Sequence, residues 1–118
     1  MNLDRNKDFE LLKEHVIKFR EERDWHQFHK IKDLLLGLNI EVSELQELFL
    51  WKSDEQLKNL EIDKIEEELA DIFIFLIYIS EEYGINILKA AEKKIKLNEI
   101  KYPISKSKGS NKKYTDLI

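Results

Sequence analysis

The chain has 118 residues, a formal net charge of −4, three glycines, one proline and no cysteine. That length suits one domain whose core is small enough to gain from a partner; the lack of cysteine excludes disulfides and thiolate metal sites, and the acidic balance argues against a nucleic-acid polymer as partner. Scarce glycine and proline, abundant charge and apolar residues at helical period predict an all-α fold, while an N-terminus Met-Asn-Leu-Asp-Arg without the apolar core of a signal peptide predicts a cytoplasmic protein.

The first helix is predicted from about Asp4, with Phe9, Leu12, Val16 and Phe19 forming one face. After it, Glu21 to His29 loses the period and sets Trp25 and Phe28 beside His26 and His29. Such a segment either faces a flat ligand or covers the end of the core. A second helix is expected over residues 30–51, with Gly37 inside it at a cost of about 1 kcal/mol against alanine; close approach of another helix is one reason to keep a glycine there. Ser53 with Gln56, and Asp63 with Glu66, read as capping boxes that open a short helical turn and a third long helix.

Within these two long helices lie two carboxylate pairs of one spacing, Glu41-Val-Ser-Glu44 and Glu68-Leu-Ala-Asp71. Residues three apart share a helix face. At about 100° per residue, both pairs flank their apolar stripes on the same hand, so antiparallel packing would bring them to one side of the helix pair. The polar connection 52–63 is short enough for such a hairpin and lies midway between the pairs. Four carboxylates then converge at the rim of a helix interface, where they repel by several kcal/mol at an effective dielectric of about 20. A dication relieves that repulsion, and all-oxygen ligands suit Mg²⁺, Mn²⁺ or Ca²⁺.

Residues 72–79 are apolar all round, too short to span a bilayer and in need of cover on every side, which predicts a subunit interface. Gly84 stops this third long helix. Asn86 caps a fourth, in which Ile87, Leu88, Ala91 and Ile95 face inward and Lys89, Lys93, Lys94 and Lys96 outward; it ends before Pro103. Residues 1–104 are thus expected as one helical domain and 105–118 as a polar, lysine-rich tail.

The paired E-x-x-E and E-x-x-D resemble the metal site of the all-α nucleoside triphosphate pyrophosphohydrolases, the MazG-like superfamily. Glu22-Arg23-Asp24-Trp25, Phe49-Leu-Trp51-Lys-Ser-Asp54, Glu67-Glu68-Leu-Ala-Asp71, Lys101-Tyr102-Pro103 and the segment from Lys108 to Leu117 are similar, in order, to the branch of that superfamily that acts on dCTP. The resemblance implies a four-helix-bundle-type fold assembled as a homodimer or homotetramer. It implies that Glu41, Glu44, Glu68 and Asp71 bind Mg²⁺, with Mn²⁺ as a substitute; that Trp25, His29 and Trp51 border the base; and that Lys94, Asn98, Lys101 and Tyr102 lie toward the phosphates. Relatives often carry glycine at the positions of Ile40 and Ser43, and tyrosine at that of Phe75.

The expected reaction is Mg²⁺-dependent hydrolysis of dCTP, or a modified dCTP, to the monophosphate and pyrophosphate, in nucleotide-pool sanitation. In-line attack by water asks little covalent work of the protein, and a carboxylate of the cluster, for which Glu44 is chosen, would take the proton. Tryptophan faces supply stacking of about 1–3 kcal/mol per base, but every base has such a face, so the choice of cytosine needs edge hydrogen bonds that the sequence does not locate. Two other readings stand beside this one: an NTP pyrophosphatase of broader specificity, and a non-enzymatic helical interaction module with a solvated acidic flank. An interaction module needs apolar stripes, yet has no reason to combine two same-handed carboxylate pairs with two tryptophans and a lysine-rich last helix.

Overall fold

Apolar residues at helical spacing become helices along the whole chain. In the computed structural model, which describes residues 2–118, the order is α1 (Asn2–Glu22), a 3₁₀ turn (His26–Phe28), α2 (Ile31–Glu47), the single turn α3 (Asp54–Leu57), α4 (Ile62–Glu82), α5 (Ile87–Lys101), the short α6 (Ile104–Ser107) and a second 3₁₀ turn (Tyr114–Asp116). No strand occurs among the described residues, in line with the all-α expectation. The chain divides into two compact units after Gly84, whose left-handed φ of 60° follows the end of α4 as the sequence predicts.

In the first unit α2 packs along α4, and α1 lies on α4 as well. The pairing is antiparallel: Gly37 faces Phe75, while Glu44, further along α2, faces Glu68, earlier on α4. Gly37 marks a close approach of the two helices, since a Cβ built there would stand 2.5 Å from Phe75 Cε1. The core is a small cluster of Val16, Leu34, Ile77 and Tyr78, backed by Phe9, Ile17, Ile74, Phe75 and Ile79. Apolar area of this modest size leaves much uncovered. Phe73 is 37% exposed, and Leu35, Leu36 and Leu76 also reach solvent, so the apolar run of α4 is not closed on every side by its own chain. No helix among the described residues is long and apolar enough to cross a membrane.

Two boundaries differ from those expected. The second long helix stops at Glu47, not at 51, because Leu48 N and Phe49 N bond three residues back, to Leu45 O and Gln46 O, in place of the α-helical four, and Trp51 then takes a left-handed φ of 62°. That conformation costs an L-residue roughly 1–2 kcal/mol, and without a glycine the sequence carries no sign of it. The Ser53–Gln56 capping box that follows forms in both directions, with Ser53 N donating to Gln56 Oε1 at 2.8 Å and Gln56 N donating to Ser53 Oγ at 3.2 Å. The Asp63–Glu66 box does not form. Helix α4 begins two residues earlier, with Glu61 instead of Asp63 at its N-cap and no side-chain cap, which places Asp63 in the first turn, where its charge complements the helix dipole.

The second unit opens on Asn86, whose Oδ1 accepts from Lys89 N at 3.1 Å and caps α5 as expected. Tyr102 N donates to Asn98 O at the end of that helix. Tyr114 meets Tyr102 edge-on with centroids 6.0 Å apart, and Lys101 Nζ lies 4.9 Å from the Tyr114 centroid. The lysine-rich terminal segment therefore contains α6 and a 3₁₀ turn, and is tied to the end of α5 by aromatic contacts.

Candidate metal and nucleotide site

One oxygen each from Glu41, Glu44 and Glu68 lies within 4.8 Å of the others. The spacing of three along α2 and the antiparallel register of α4 produce this meeting. Glu41 Oε2 and Glu68 Oε2 are both buried with no hydrogen-bond partner. Buried, unpaired carboxylate oxygens are expensive, and here the repulsion is visible in the protonation equilibria. Burial and the neighbouring Glu44, Asp71 and Glu68 push the pKa of Glu41 up to about 7 from 4.5. Burial and then the charge of Glu44 also raise Glu68. A divalent cation fits this group, because it would satisfy both orphaned oxygens and remove the repulsion at once.

Asp71 is placed differently from the other three. Its carboxylate lies outside the tight cluster, although its charge raises both Glu41 and Glu68. One turn beyond Glu68, it lines a cavity of about 490 Å³ together with Phe19, Trp25, His29, Phe75 and Tyr78. Carboxylate cluster and cavity are therefore adjoining, with Asp71 common to both surroundings.

The cavity wall brings together two of the three residues expected at the base. Trp25 is 44% exposed and meets Phe19 edge-on, centroids 5.7 Å apart, which fits a ligand-facing ring better than a core one. The His29 ring meets that of Tyr78 at a tilt of 57°, centroids 4.8 Å apart, and its Nδ1 is buried without a partner. Burial, and after it the charges of Arg20 and His26, lower the pKa of His29, so the ring is neutral near pH 7 and able either to donate or to accept. Trp51 is not in this wall. It is 91% exposed, on the turn between α2 and α3.

Lys94, Asn98, Lys101 and Tyr102 belong to the second unit, exposed on α5 and its C-cap at spacings of four, three and one, which keeps Lys94, Asn98 and Lys101 on one side of the helix. Tyr78, in the cavity wall, and Arg20 behind it are neighbours of His29 that the sequence pattern does not single out. Tyr78 sits inside the run read as uniformly apolar, yet its ring supports His29 on one hand and Arg20, 5.0 Å away, on the other. Arg20 is only 3% exposed, and its Nε and Nη1 make no hydrogen bond. The one hint in the sequence is a tyrosine among aliphatic residues, since a buried phenol needs a polar neighbour.

These features define an all-helical protein with a carboxylate site between antiparallel helices and an aromatic cavity beside it. The MazG-like family model matches residues 36–117, and the chain belongs to the MazG-like family. Over 105 residues the chain is 41% identical to dCTP pyrophosphatase 1 of Rattus norvegicus, 42% to that of Bos taurus and 37% to that of Homo sapiens; each match covers 85% of this chain and 62% of the relative's length. The crystal structure of a pyrophosphatase from Archaeoglobus fulgidus is 34% identical and superposes with a TM-score of 0.76, covering 81% of this chain and 93% of that one.

Proposed function

We propose that the chain is a Mg²⁺-dependent nucleoside triphosphate pyrophosphohydrolase that converts dCTP, or a modified dCTP, to the monophosphate and pyrophosphate, in cytoplasmic nucleotide-pool sanitation. The observation that carries the reading is the contiguity of the three-glutamate cluster with the aromatic cavity through Asp71. The names of the rat, bovine and human relatives support the choice of dCTP.

Glu41, Glu44, Glu68 and Asp71 would hold the ion, with Mn²⁺ as a substitute. A bound ion supplies neutralisation of phosphate charge and orientation of the triphosphate. Glu41 and Glu68 each turn a buried oxygen inward, which leaves Glu44 as the carboxylate to take the proton of the attacking water. Trp25 stacks on the base, and neutral His29 offers a ring nitrogen to its edge. Lys94, Asn98, Lys101 and Tyr102 contact phosphate from one side of α5. A second copy of the chain covers Phe73 and Leu76, and the exposed Trp51 serves the base pocket of that copy. Pyrophosphate release from a panel of deoxy- and ribonucleoside triphosphates, with Mg²⁺, with Mn²⁺ and with chelator, tests the reading. Metal-dependent release fastest from dCTP or 5-methyl-dCTP is expected; equal rates on all bases would replace it with a broad NTP pyrophosphatase, and no release with any of them would overturn it.

A further inference from the structure

Among the described residues Arg20 is the only charged residue that is buried. It stands in the last turn of α1, from where an arginine ordinarily reaches water along its apolar stem. Here the guanidinium turns inward onto the Tyr78 ring, 5.0 Å from its centroid, and His29 meets the same ring with centroids 4.8 Å apart. Tyr78 and His29 line the aromatic cavity, whereas Arg20 does not, so its charge sits behind the wall that a ligand would touch. Glu21 Oε1 comes within 3.5 Å of Arg20 Nε without hydrogen bonding it, and Nη1 is likewise buried without a partner. A charge buried with orphaned donors weakens the fold, so packing alone does not account for it.

We propose that Arg20 is a positioning residue for base recognition, acting on His29 across the Tyr78 ring that both of them touch. This rests on the function proposed above, in which His29 meets the edge of the base. A guanidinium stays charged throughout the physiological range, and at short range behind a buried ring it opposes a second positive charge on the imidazole. After burial, Arg20 is the largest influence that lowers the His29 pKa; His26, from the 3₁₀ turn, adds to it and Glu82, from α4, opposes it. Glu21 stands between the two other cationic groups, 3.5 Å from Arg20 Nε and 3.7 Å from His26 Nδ1, while burial raises the Tyr78 pKa and keeps it a neutral phenol. His15 and Asp71 line the same cavity. An uncharged imidazole keeps an acceptor nitrogen that imidazolium lacks. The exocyclic amino group of cytosine needs an acceptor, and uracil presents a carbonyl there, so Arg20 preserves the one feature of His29 that separates the two bases.

The test compares Arg20→Met, Arg20→Gln and Arg20→Lys with the wild type by magnetic-resonance titration of the His29 ring, by melting temperature, and by KM and kcat for dCTP and dUTP at about pH 6 and about pH 8. In both neutral variants the melting temperature should hold or rise and the His29 titration should move to higher pH. Their KM for dCTP, relative to wild type, should rise about two- to fourfold near pH 6 and stay near one at pH 8, with kcat and the KM for dUTP little changed, since an imidazole returned toward its ordinary pKa of about 6.5 is only partly neutral at pH 6. Taking the ratio at each pH removes the titration of the carboxylate cluster, where Glu41 and Glu68 answer to burial and to other carboxylates. Arg20→Lys, which keeps the charge, should follow the wild type, and in a His29→Gln background Arg20→Met should no longer change the pH dependence. An unmoved His29 titration, an equal loss of KM at both pH values, or failure of both neutral variants to fold overturns the inference. A wild type that releases pyrophosphate from no triphosphate overturns the function proposed above, whereas normal turnover with an unmoved His29 titration overturns only the part given to Arg20.

Discussion

Phe75 lies so close over the backbone of Gly37 that any side chain at position 37 would meet its ring, a Cβ there standing only 2.5 Å from Cε1. On an exposed helix, Gly37→Ala would add up to about 1 kcal/mol of stability. Here overpacking should reverse that sign and destabilise by about 1–3 kcal/mol, because an aromatic ring held between α2 and Tyr78 cannot swing aside freely. Adding Phe75→Leu should recover most of the loss. Chemical denaturation of the two variants decides; a more stable Gly37→Ala protein would mean that the helices separate at no penalty.

Glu41→Gln, Glu44→Gln, Glu68→Gln and Asp71→Asn should each lower turnover by roughly two orders of magnitude, the scale of losing one fixed electrostatic partner. The fold should survive in all four, since these side chains stand at a rim and carry no core volume. Asp71→Asn is the informative one, because its carboxylate lies outside the tight cluster. Full activity in two of the four would sink the shared site.

Removal of metal should make stability fall as pH rises. The folded chain holds Glu41 protonated up to about 7, whereas the ordinary value is 4.5. Its folded-state pKa is raised, so the folded chain binds more protons than the unfolded chain between those values, and stability present at lower pH is lost as pH climbs through the window. In chelator, the melting temperature should decline from about pH 5 to about pH 7.5, and Glu41→Gln should flatten the decline. Saturating Mg²⁺ should flatten it too. A metal-free wild type that gains stability across this range relative to Glu41→Gln would contradict the raised pKa.

Trp25→Ala should weaken binding of a non-hydrolysable dCTP analogue by about 1–3 kcal/mol, while losing less stability than the roughly 3–5 kcal/mol of a fully buried aromatic. Trp51→Ala should leave melting unchanged, since almost all of that ring meets solvent. Any effect of Trp51→Ala on the analogue should then depend on protein concentration, because the ring would act from a second copy. Tryptophan fluorescence titrations report both.

If a second copy covers α4 as proposed, Phe73→Asp should dissociate that assembly without unfolding the chain, as residue 73 is 37% exposed on α4. Ile77→Asp is a different experiment: Ile77 is in the innermost cluster, and a lone charge there should prevent folding altogether. Light scattering on the Phe73 variant is decisive, and a wild-type monomer at micromolar concentration would remove the interface.

The hairpin of α2 and α4 and the glutamates between them are legible because both depend on periodicity, which a sequence displays directly. Gly37 is legible for the same reason, as the one small residue in a packed stripe. The early end of α2 is hidden because Trp51 adopts a conformation that its chemistry disfavours, and only the Ser53 capping box after it imposes a new start. Asp71 shares its helical angle with Glu68, but angle does not say which of two adjoining spaces a short side chain enters. Arg20 and the cavity below Trp25 depend on α1 meeting α4, a contact made by residues some sixty positions apart, for which local pattern carries no signal.

The aromatic wall between α1 and α2 is bound at nearly every residue. Trp25 N donates to Arg20 O at 3.1 Å, Gln27 Nε2 donates to Asp24 Oδ2 at 3.0 Å, Phe28 N to Trp25 O at 2.9 Å and His29 N to His26 O at 3.0 Å, while His26 Nε2 is joined to Glu82 Oε1 at 3.0 Å across to the last turn of α4. Ordering a loop of this length on a ligand would cost about 1–2 kcal/mol of backbone entropy per residue. In this chain that entropy is lost once, when the protein folds, so a flat ligand bound there would meet a wall already in place, and its association would be limited by encounter instead of loop closure.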